Sequence, residues 1–468
     1  MVLRPGVWRW GSVLGTALLI LALPVPEGIS VDGWRMFAIF AATIVGAITQ
    51  PLPGGAMVLI GLCTTIFTGV LSLENALTAY ANPIVWLVLA AIFMSRAMVQ
   101  TGLGRRLALH FIKAIGHRTL GLGYAMIGTD LVLGSVVPSN GARSGGIIFP
   151  IASSLARAYQ SEPGPSAGRI GAFLMVLLYQ ADVIICAMFL TGQASNLLMA
   201  EFARQVTGAS IGYVQWMVAR AVPGLLSLIA VPLLLYRVAP PTVRETPEAA
   251  TFAAEQLRAM GPMTRNEVIL LLTFVLVAGL WIVSGWLGLN YTVVALLGMV
   301  VLFLTGVLRW EDALGERVAW DVFIWYGGLV KLAGALNDFG LTQRFADTAS
   351  GFTAGWPWGL AFALLLVVYF FAHYGFASIT AHATAMFIPF TTLVIAGGAP
   401  PMLTVIAFAC FSNLCAALTH YGTTPAPIWF GAGYVSQGTW WRLGLMSGLT
   451  TAAIWATVGV GWWVVLGY

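Results

Sequence analysis

Four polar or small-residue stretches interrupt otherwise apolar sequence, and they hold the residues best suited to chemistry. The first reads Pro138-Ser139-Asn140-Gly141-Ala142-Arg143-Ser144-Gly145-Gly146, and the second Ser378-Ile379-Thr380-Ala381-His382. The other two are Thr191-Gly192-Gln193-Ala194-Ser195-Asn196 and His420-Tyr421-Gly422-Thr423-Thr424-Pro425-Ala426-Pro427. Their hydroxyls and amides bind without fixed charge. A helix that restarts after such a break presents free N–H groups suited to a carboxylate. Carbonyls left at the end of the preceding helix can hold a small cation.

Basic residues stand at both of the first two stretches. A guanidinium in apolar surroundings is costly unless paired, and Arg143 is a natural partner for a carboxylate. His382 follows it by 239 residues. It is either a second basic group at an equivalent place or a packing histidine bonded to a neighbouring carbonyl, and His373 reads as structural. The substrate contacts expected from this pattern are Ser139, Asn140, Gly141, Arg143, Ser378, Thr380, His382, Thr423, Thr424 and Pro425. Asp182, Gln193, Ser195, Asn196, Ser412, Asn413 and His420 are cation or structural positions. Asp130 and Lys331 are further isolated charges. No catalytic set is expected, since the five histidines form no HExxH.

The elements that must position these residues follow from composition. Of 468 residues, 59% are hydrophobic and 8% charged, against about 25% charged in soluble domains. A mean hydropathy of +0.89 and apolar blocks near the length of a bilayer crossing indicate an all-α integral membrane protein. Cys63, Cys186, Cys410 and Cys415 include no CxxC, which argues against a disulfide framework or a zinc cluster. The isoelectric point near 9.1 reflects arginines held on one membrane face and not nucleic-acid binding.

Eleven spans are expected, near 13–27, 33–50, 54–73, 82–100, 171–200, 211–236, 267–286, 290–308, 320–337, 402–430 and 443–466. The regions about 119–158 and 356–399 are apolar but broken, and read as re-entrant hairpins. With the N-terminus inside, the cytoplasm receives Arg4, Arg9, Arg105, Arg106, Lys113, Arg118, Arg157, Arg169, Arg237, Arg244, Arg258, Arg265, Arg309, Arg317 and Arg442. The outside receives Arg35, Arg204 and Arg344. Fifteen against three is a strong positive-inside bias, and it requires both hairpins to return to the face they entered. It places the C-terminus outside. A bacterial inner membrane is the expected location.

The chain also matches itself. AMVQTGLGRRLA (97–108) aligns with ALNDFGLTQRFA (335–346), and SNGARSGGIIFPI (139–151) with SITAHATAMFIPF (378–390), at offsets of 238 and 239. The division expected is a first transmembrane helix in 1–30, a first repeat over 31–236, a cytoplasmic linker over 237–266 and a second repeat over 267–468. Five spans plus a hairpin per repeat invert the second relative to the first. This is the plan of many secondary transporters, with the site where broken helices meet. An anion channel could also use basic pore residues, but would not need two closed hairpins.

At PSNGARSGGIIFPI (138–151), HYGFASITAHATAMFIPF (373–390) and ALTHYGTTPAPIWFGAGYV (417–435) the sequence resembles the divalent anion:sodium symporter family. It is most similar there to the citrate/succinate, tartrate/succinate and plastid 2-oxoglutarate/malate translocator branch. The family carries paired Ser-Asn-Thr tips that bind substrate carboxylate. Here they are Ser139-Asn140-Gly141, with Gly for Thr, and Ser378-Ile379-Thr380, with Ile for Asn. The resemblance implies di- or tricarboxylate substrates, a homodimer in the lipid bilayer, and a transport domain moving against a scaffold. No cofactor is implied, with Na⁺ as coupling ion only in a symporter. Fixed positive charge at Arg143, His382 and His420 would repel Na⁺ and favour anion exchange.

Overall fold

The computed structural model describes residues 6–353 and 355–468. Arg4, counted above on the cytoplasmic side, lies outside the described residues, as does the start of the 1–30 segment. Among the described residues the fold is all-α, with a single isolated bridge between Arg118 and Glu245.

After Val7–Ala22, the first half runs through Val31–Thr49, Gly54–Phe67, the short Leu73–Leu77, Pro83–Thr101 and Leu103–Ile115. Thr119–Gly134 then turns back into a π-helical stretch, Gly141–Ile148, continued by Phe149–Ala158, making the first hairpin. Gly171–Met188 and Ala194–Thr207 form a broken helix, followed by Tyr213–Val238. The order recurs in the second half as Arg265–Leu287, Tyr291–Leu304, the short Trp310–Gly315, Arg317–Asp338 and Leu341–Thr353. The second hairpin follows as Trp358–Ala372 and Ile379–Ala396. The second broken helix is Pro401–Leu414 with Ala426–Gly431, and Gln437–Ile454 comes next.

Local chemistry sets these boundaries. Asn82 accepts from Ile84 N at 2.9 Å just before Pro83, whose ring is compatible with a first helical turn. Thr264 and Glu267 form a reciprocal capping box at the start of Arg265–Leu287. Among the described residues nine helices are long and apolar enough to cross a membrane, including both arms of the second hairpin. Val7–Ala22, Gly54–Phe67, Thr119–Gly134 and Tyr291–Leu304 are apolar but shorter. Length therefore divides the apolar helices differently from the eleven expected spans. Gly171–Met188 is enclosed along almost its whole length, whereas Leu271, Leu272, Val275 and Leu276 on Arg265–Leu287 are exposed. Exposed apolar faces of this kind suit lipid.

The segment expected as a linker is docked against the rest of the chain. Its helix Pro247–Met260 is held by Arg105 Nη2 donating to Gln256 Oε1 at 2.7 Å. Arg106 donates to both oxygens of Glu267, at 2.7 and 3.1 Å. Thr246 N donates to His117 O at 2.8 Å, and Val243 N to Arg169 O at 3.1 Å. Segments just before and just after the first hairpin thus both meet the linker, which brings the hairpin's two ends to one side of the molecule. Thr251→Cys and Tyr468→Cys, each introduced without Cys63, test the membrane sidedness. An impermeant thiol reagent should reach position 251 from the cytoplasm and position 468 from outside. Labelling of both from the same side would overturn the topology.

Candidate functional site

The hairpin tips and helix breaks converge on a cavity of about 300 Å³. Ser139, Asn140 and Gly141 line it from the first hairpin, and Ser378, Ile379 and Thr380 from the second. Gln193, Ala194 and Ser195 come from the first break, and Thr423 and Thr424 from the second. The opposite wall is Ile44, Ala47, Gln50, Gly54 and Val58, with Asp321, Val322, Trp325 and Leu329 of Arg317–Asp338.

Three helix N-termini meet here: Gly141–Ile148 behind Asn140, Ala194–Thr207 behind Gln193, and Ile379–Ala396 behind Ser378. Each carries about half a positive elementary charge on its free N–H groups. Ser139 Oγ accepts from Ala142 N at 3.2 Å, and Ser378 Oγ from Ala381 N at 3.1 Å. These caps satisfy one of the first-turn donors of each helix. Among the described lining residues no Lys, Arg or His occurs, and Asp321 is the one charged side chain. Sequence reasoning missed Asp321, although an aspartate inside an apolar run was a signal. It stands against the start of Gly54–Phe67, where a Cβ on Gly55 would lie 2.4 Å from its Oδ1. Glycine is what admits the carboxylate there.

Hydrogen bonds between the halves hold the tips. Asn140 Nδ2 donates to Thr423 Oγ1 at 2.9 Å, and the Ser195 and Thr380 hydroxyls are 2.7 Å apart. Gln193 donates to Asn413 Oδ1, and Asn413 Nδ2 to Asn196 Oδ1 at 2.9 Å. Asn196 also donates to the carbonyls of Cys186 and Phe189, at 2.6 and 2.7 Å, at the end of the first broken helix. Tyr179 and Gln180 do the same for the second, donating to Ala416 O at 2.6 Å and Ala417 O at 3.2 Å. Carbonyls freed by a break cost several kcal/mol each if left in hydrocarbon. Each broken helix therefore depends on polar side chains packed into it. Gly141 has a related reason: a Cβ there would lie 3.1 Å from Thr424 Cγ2, so Thr424 occupies space beside the first tip.

Seven of the ten residues expected to contact substrate line the cavity, and Gln193 and Ser195 join them. Arg143, His382 and Pro425 do not. Arg143 is fully buried on the far side of the tip, where Nε donates to Asp130 Oδ1 and Nη2 to Asp182 Oδ1, both at 2.6 Å. Its Nη1 donates to Gly192 O at 2.8 Å. The expected free cation is instead a staple between the first hairpin and the first broken helix, neutralised by two carboxylates. His382 lies within hydrogen-bond distance of Tyr369 O through Nε2, at 3.0 Å, the packing alternative named above. His420 Nδ1 accepts from Trp441 Nε1 at 3.0 Å, and Pro425 opens the short Ala426–Gly431 helix. Asp182, Asn196, Ser412 and Asn413 lie behind the cavity wall. Ser412 is paired with the Tyr369 hydroxyl at 2.6 Å. The expectation that fixed positive charge faces the site is therefore corrected, because Arg143, His382 and His420 are each turned to protein partners.

Comparison with known proteins gives a consistent pattern. The family described as "Sodium:sulfate symporter transmembrane region" matches residues 6–468. "Dicarboxylate transporter 1, chloroplastic" of Arabidopsis thaliana is 42% identical over 476 residues, covering 100% of this chain and 86% of that one. The protein of the same name from Spinacia oleracea is 43% identical, covering 97% and 80% respectively. Among solved structures, the Alcanivorax borkumensis YdaH transporter shares the fold at a TM-score of 0.59 with 15% identity, covering 99% of this chain and 98% of that chain.

Proposed function

Because the chain belongs to the sodium:sulfate symporter family, we propose that it is a secondary transporter that carries di- or tricarboxylates such as malate, succinate, 2-oxoglutarate, tartrate or citrate by exchange. It is a multi-pass membrane transporter and not an enzyme, as are its relatives. The observation that carries the substrate class is the meeting of three helix N-termini and a hydroxyl- and amide-lined wall at one cavity. A carboxylate finds N–H and O–H donors there with their partial charges already oriented. About 300 Å³ lies at the small end of ligand pockets, about 300–1,000 Å³, and favours a compact anion.

Asn140 with Thr423, Ser195 with Thr380, and the Gln193–Asn413–Asn196 chain join the tips and breaks of the two halves directly. Translocation follows as an elevator movement of the hairpins and broken helices against the helices that carry Ile44, Val58 and Asp321. The working unit is a homodimer in a bacterial inner membrane, with the N-terminus cytoplasmic and the C-terminus outside. Sodium symport is the second reading, favoured by Asp321, a carboxylate in the cavity wall that a cation could approach.

Proteoliposomes loaded with labelled malate separate the two. Exchange gives slow efflux into substrate-free buffer and rapid efflux once unlabelled malate is added outside, with or without sodium. Fast sodium-dependent efflux into substrate-free buffer assigns symport. Folded protein whose flux responds to no dicarboxylate would reject the substrate class itself.

A further inference from the structure

Behind the second hairpin tip, His373 and His382 bring one ring nitrogen each, and Cys415 its sulfur, within 4.8 Å of one another, and all three residues are fully buried. They come from three elements: the turn His373–Gly375, the first turn of Ile379–Ala396, and the turn Cys415–Leu418 that ends the inner half of the second broken helix. Each imidazole is held at Nε2 by a backbone carbonyl, His373 by Gly422 O at 3.1 Å and His382 by Tyr369 O at 3.0 Å. A carbonyl only accepts, so both Nε2 atoms carry the proton and both Nδ1 atoms keep a lone pair. His373 Nδ1 has no hydrogen-bond partner despite its burial. His382 Nδ1 lies 3.7 Å from Cys415 Sγ.

These features match what a metal requires. A ligating histidine has its other ring N–H pinned by a carbonyl or carboxylate, which fixes tautomer and orientation. Metal bonds of about 2.0–2.1 Å to nitrogen and 2.3 Å to sulfur, at angles between tetrahedral and trigonal, place N and S about 3.6–3.8 Å apart. The His382–Cys415 separation falls in that range. We propose that His373, His382 and Cys415 form a binding site for a thiophilic d¹⁰ cation, Cu⁺ or Zn²⁺. Binding replaces the thiol proton, which leaves to solvent, and the metal bonds to the thiolate and two neutral Nδ1 atoms. With Cu⁺ the assembled site is neutral, whereas Zn²⁺ leaves one positive charge in a fully enclosed place. Neutrality and the three-ligand set favour Cu⁺.

Occupancy would tie the second hairpin to the second break. Gly422, which holds His373, immediately precedes Thr423 on the cavity wall. The metal would therefore stiffen one side of the cavity. The site stands on its own residues and does not depend on which anion the cavity takes.

The test uses the purified full chain in detergent. It is titrated anaerobically with Cu⁺ against a chromophoric Cu⁺ chelator and separately with Zn²⁺ against a zinc chelator, and Co²⁺ serves as a spectroscopic probe. The expected result is one equivalent bound per chain, a raised melting temperature, and a thiolate-to-Co²⁺ charge-transfer band. Tighter capture in the Cu⁺ arm assigns copper, and tighter capture in the Zn²⁺ arm assigns zinc. Cys415→Ser should remove the band, and His373→Gln should weaken binding by at least about 10- to 100-fold, the cost of losing only a supporting group. Cys63→Ser, on a distant helix, should leave binding intact. Failure of folded wild-type protein to bind any of the three metals stoichiometrically would overturn the site, even if the Cys415→Ser protein does not fold. So would a Co²⁺ band that persists in Cys415→Ser or disappears in Cys63→Ser.

Discussion

Arg143→Gln protein should be lost as a folded species and not merely slowed in transport. The guanidinium is wholly enclosed and bonded to Asp130, Asp182 and the Gly192 carbonyl. Its removal leaves two carboxylates buried without their counter-charge. Breaking a buried pair in this way costs about 3–5 kcal/mol, a large share of the roughly 5–15 kcal/mol that stabilises a typical native protein. Arg143→Lys keeps the charge, but a single ammonium cannot reproduce the fork that reaches both aspartates and the carbonyl, so it should fall between the two. The measurement is the melting temperature of detergent-solubilised protein, followed by the monodisperse fraction on size exclusion. A variant with a wild-type melting temperature and no exchange would return Arg143 to the role of a substrate contact.

Asn140→Ala should do the reverse, keeping the fold and losing the ligand. Asn140 Nδ2 gives one hydrogen to Thr423 and retains a second, with the amide oxygen still available to the cavity. A hydrogen bond to a charged group is worth about 1.5–3 kcal/mol, or roughly 10- to 150-fold in affinity. Apparent affinity for the dicarboxylate should fall by that factor, measured as half-maximal exchange in proteoliposomes. Ser139→Ala should cost less affinity and more stability, about 1 kcal/mol, because its hydroxyl also caps Ala142 N. Unchanged half-saturation by a folded Asn140→Ala protein would reduce the tip to a turn.

Much of the candidate site was legible because broken helices leave local marks. Proline, glycine and small polar residues inside apolar runs at 138–146, 191–196, 378–382 and 420–427 pointed to the stretches that meet at the cavity. The direction of the charged side chains was not legible. Arg143 finds its partners 13 residues before and 39 residues after it, and only the packing of three helical segments brings them together. The same holds for Thr424 beside Gly141, and for Asp321 against Gly55. A tip read alone suggests that its basic residue faces the ligand, because nothing nearby in sequence announces the counter-charge.

The bonds that complete the site also constrain how the protein can be made. Asn140 waits for Thr423 over 283 residues of chain, Asn196 for Asn413 over 217, and Ser144 for Trp429 over 285. During synthesis the first hairpin and first broken helix enter the bilayer long before these partners emerge from the ribosome. Their unpaired side-chain amides and hydroxyls must meanwhile be satisfied by water, lipid headgroups or an insertion chaperone, since hydrocarbon offers no partner. Contacts this distant in sequence form late. A nascent chain arrested before residue 413 would thus carry a complete first half with an open polar seam, the form in which quality-control proteases should recognise it.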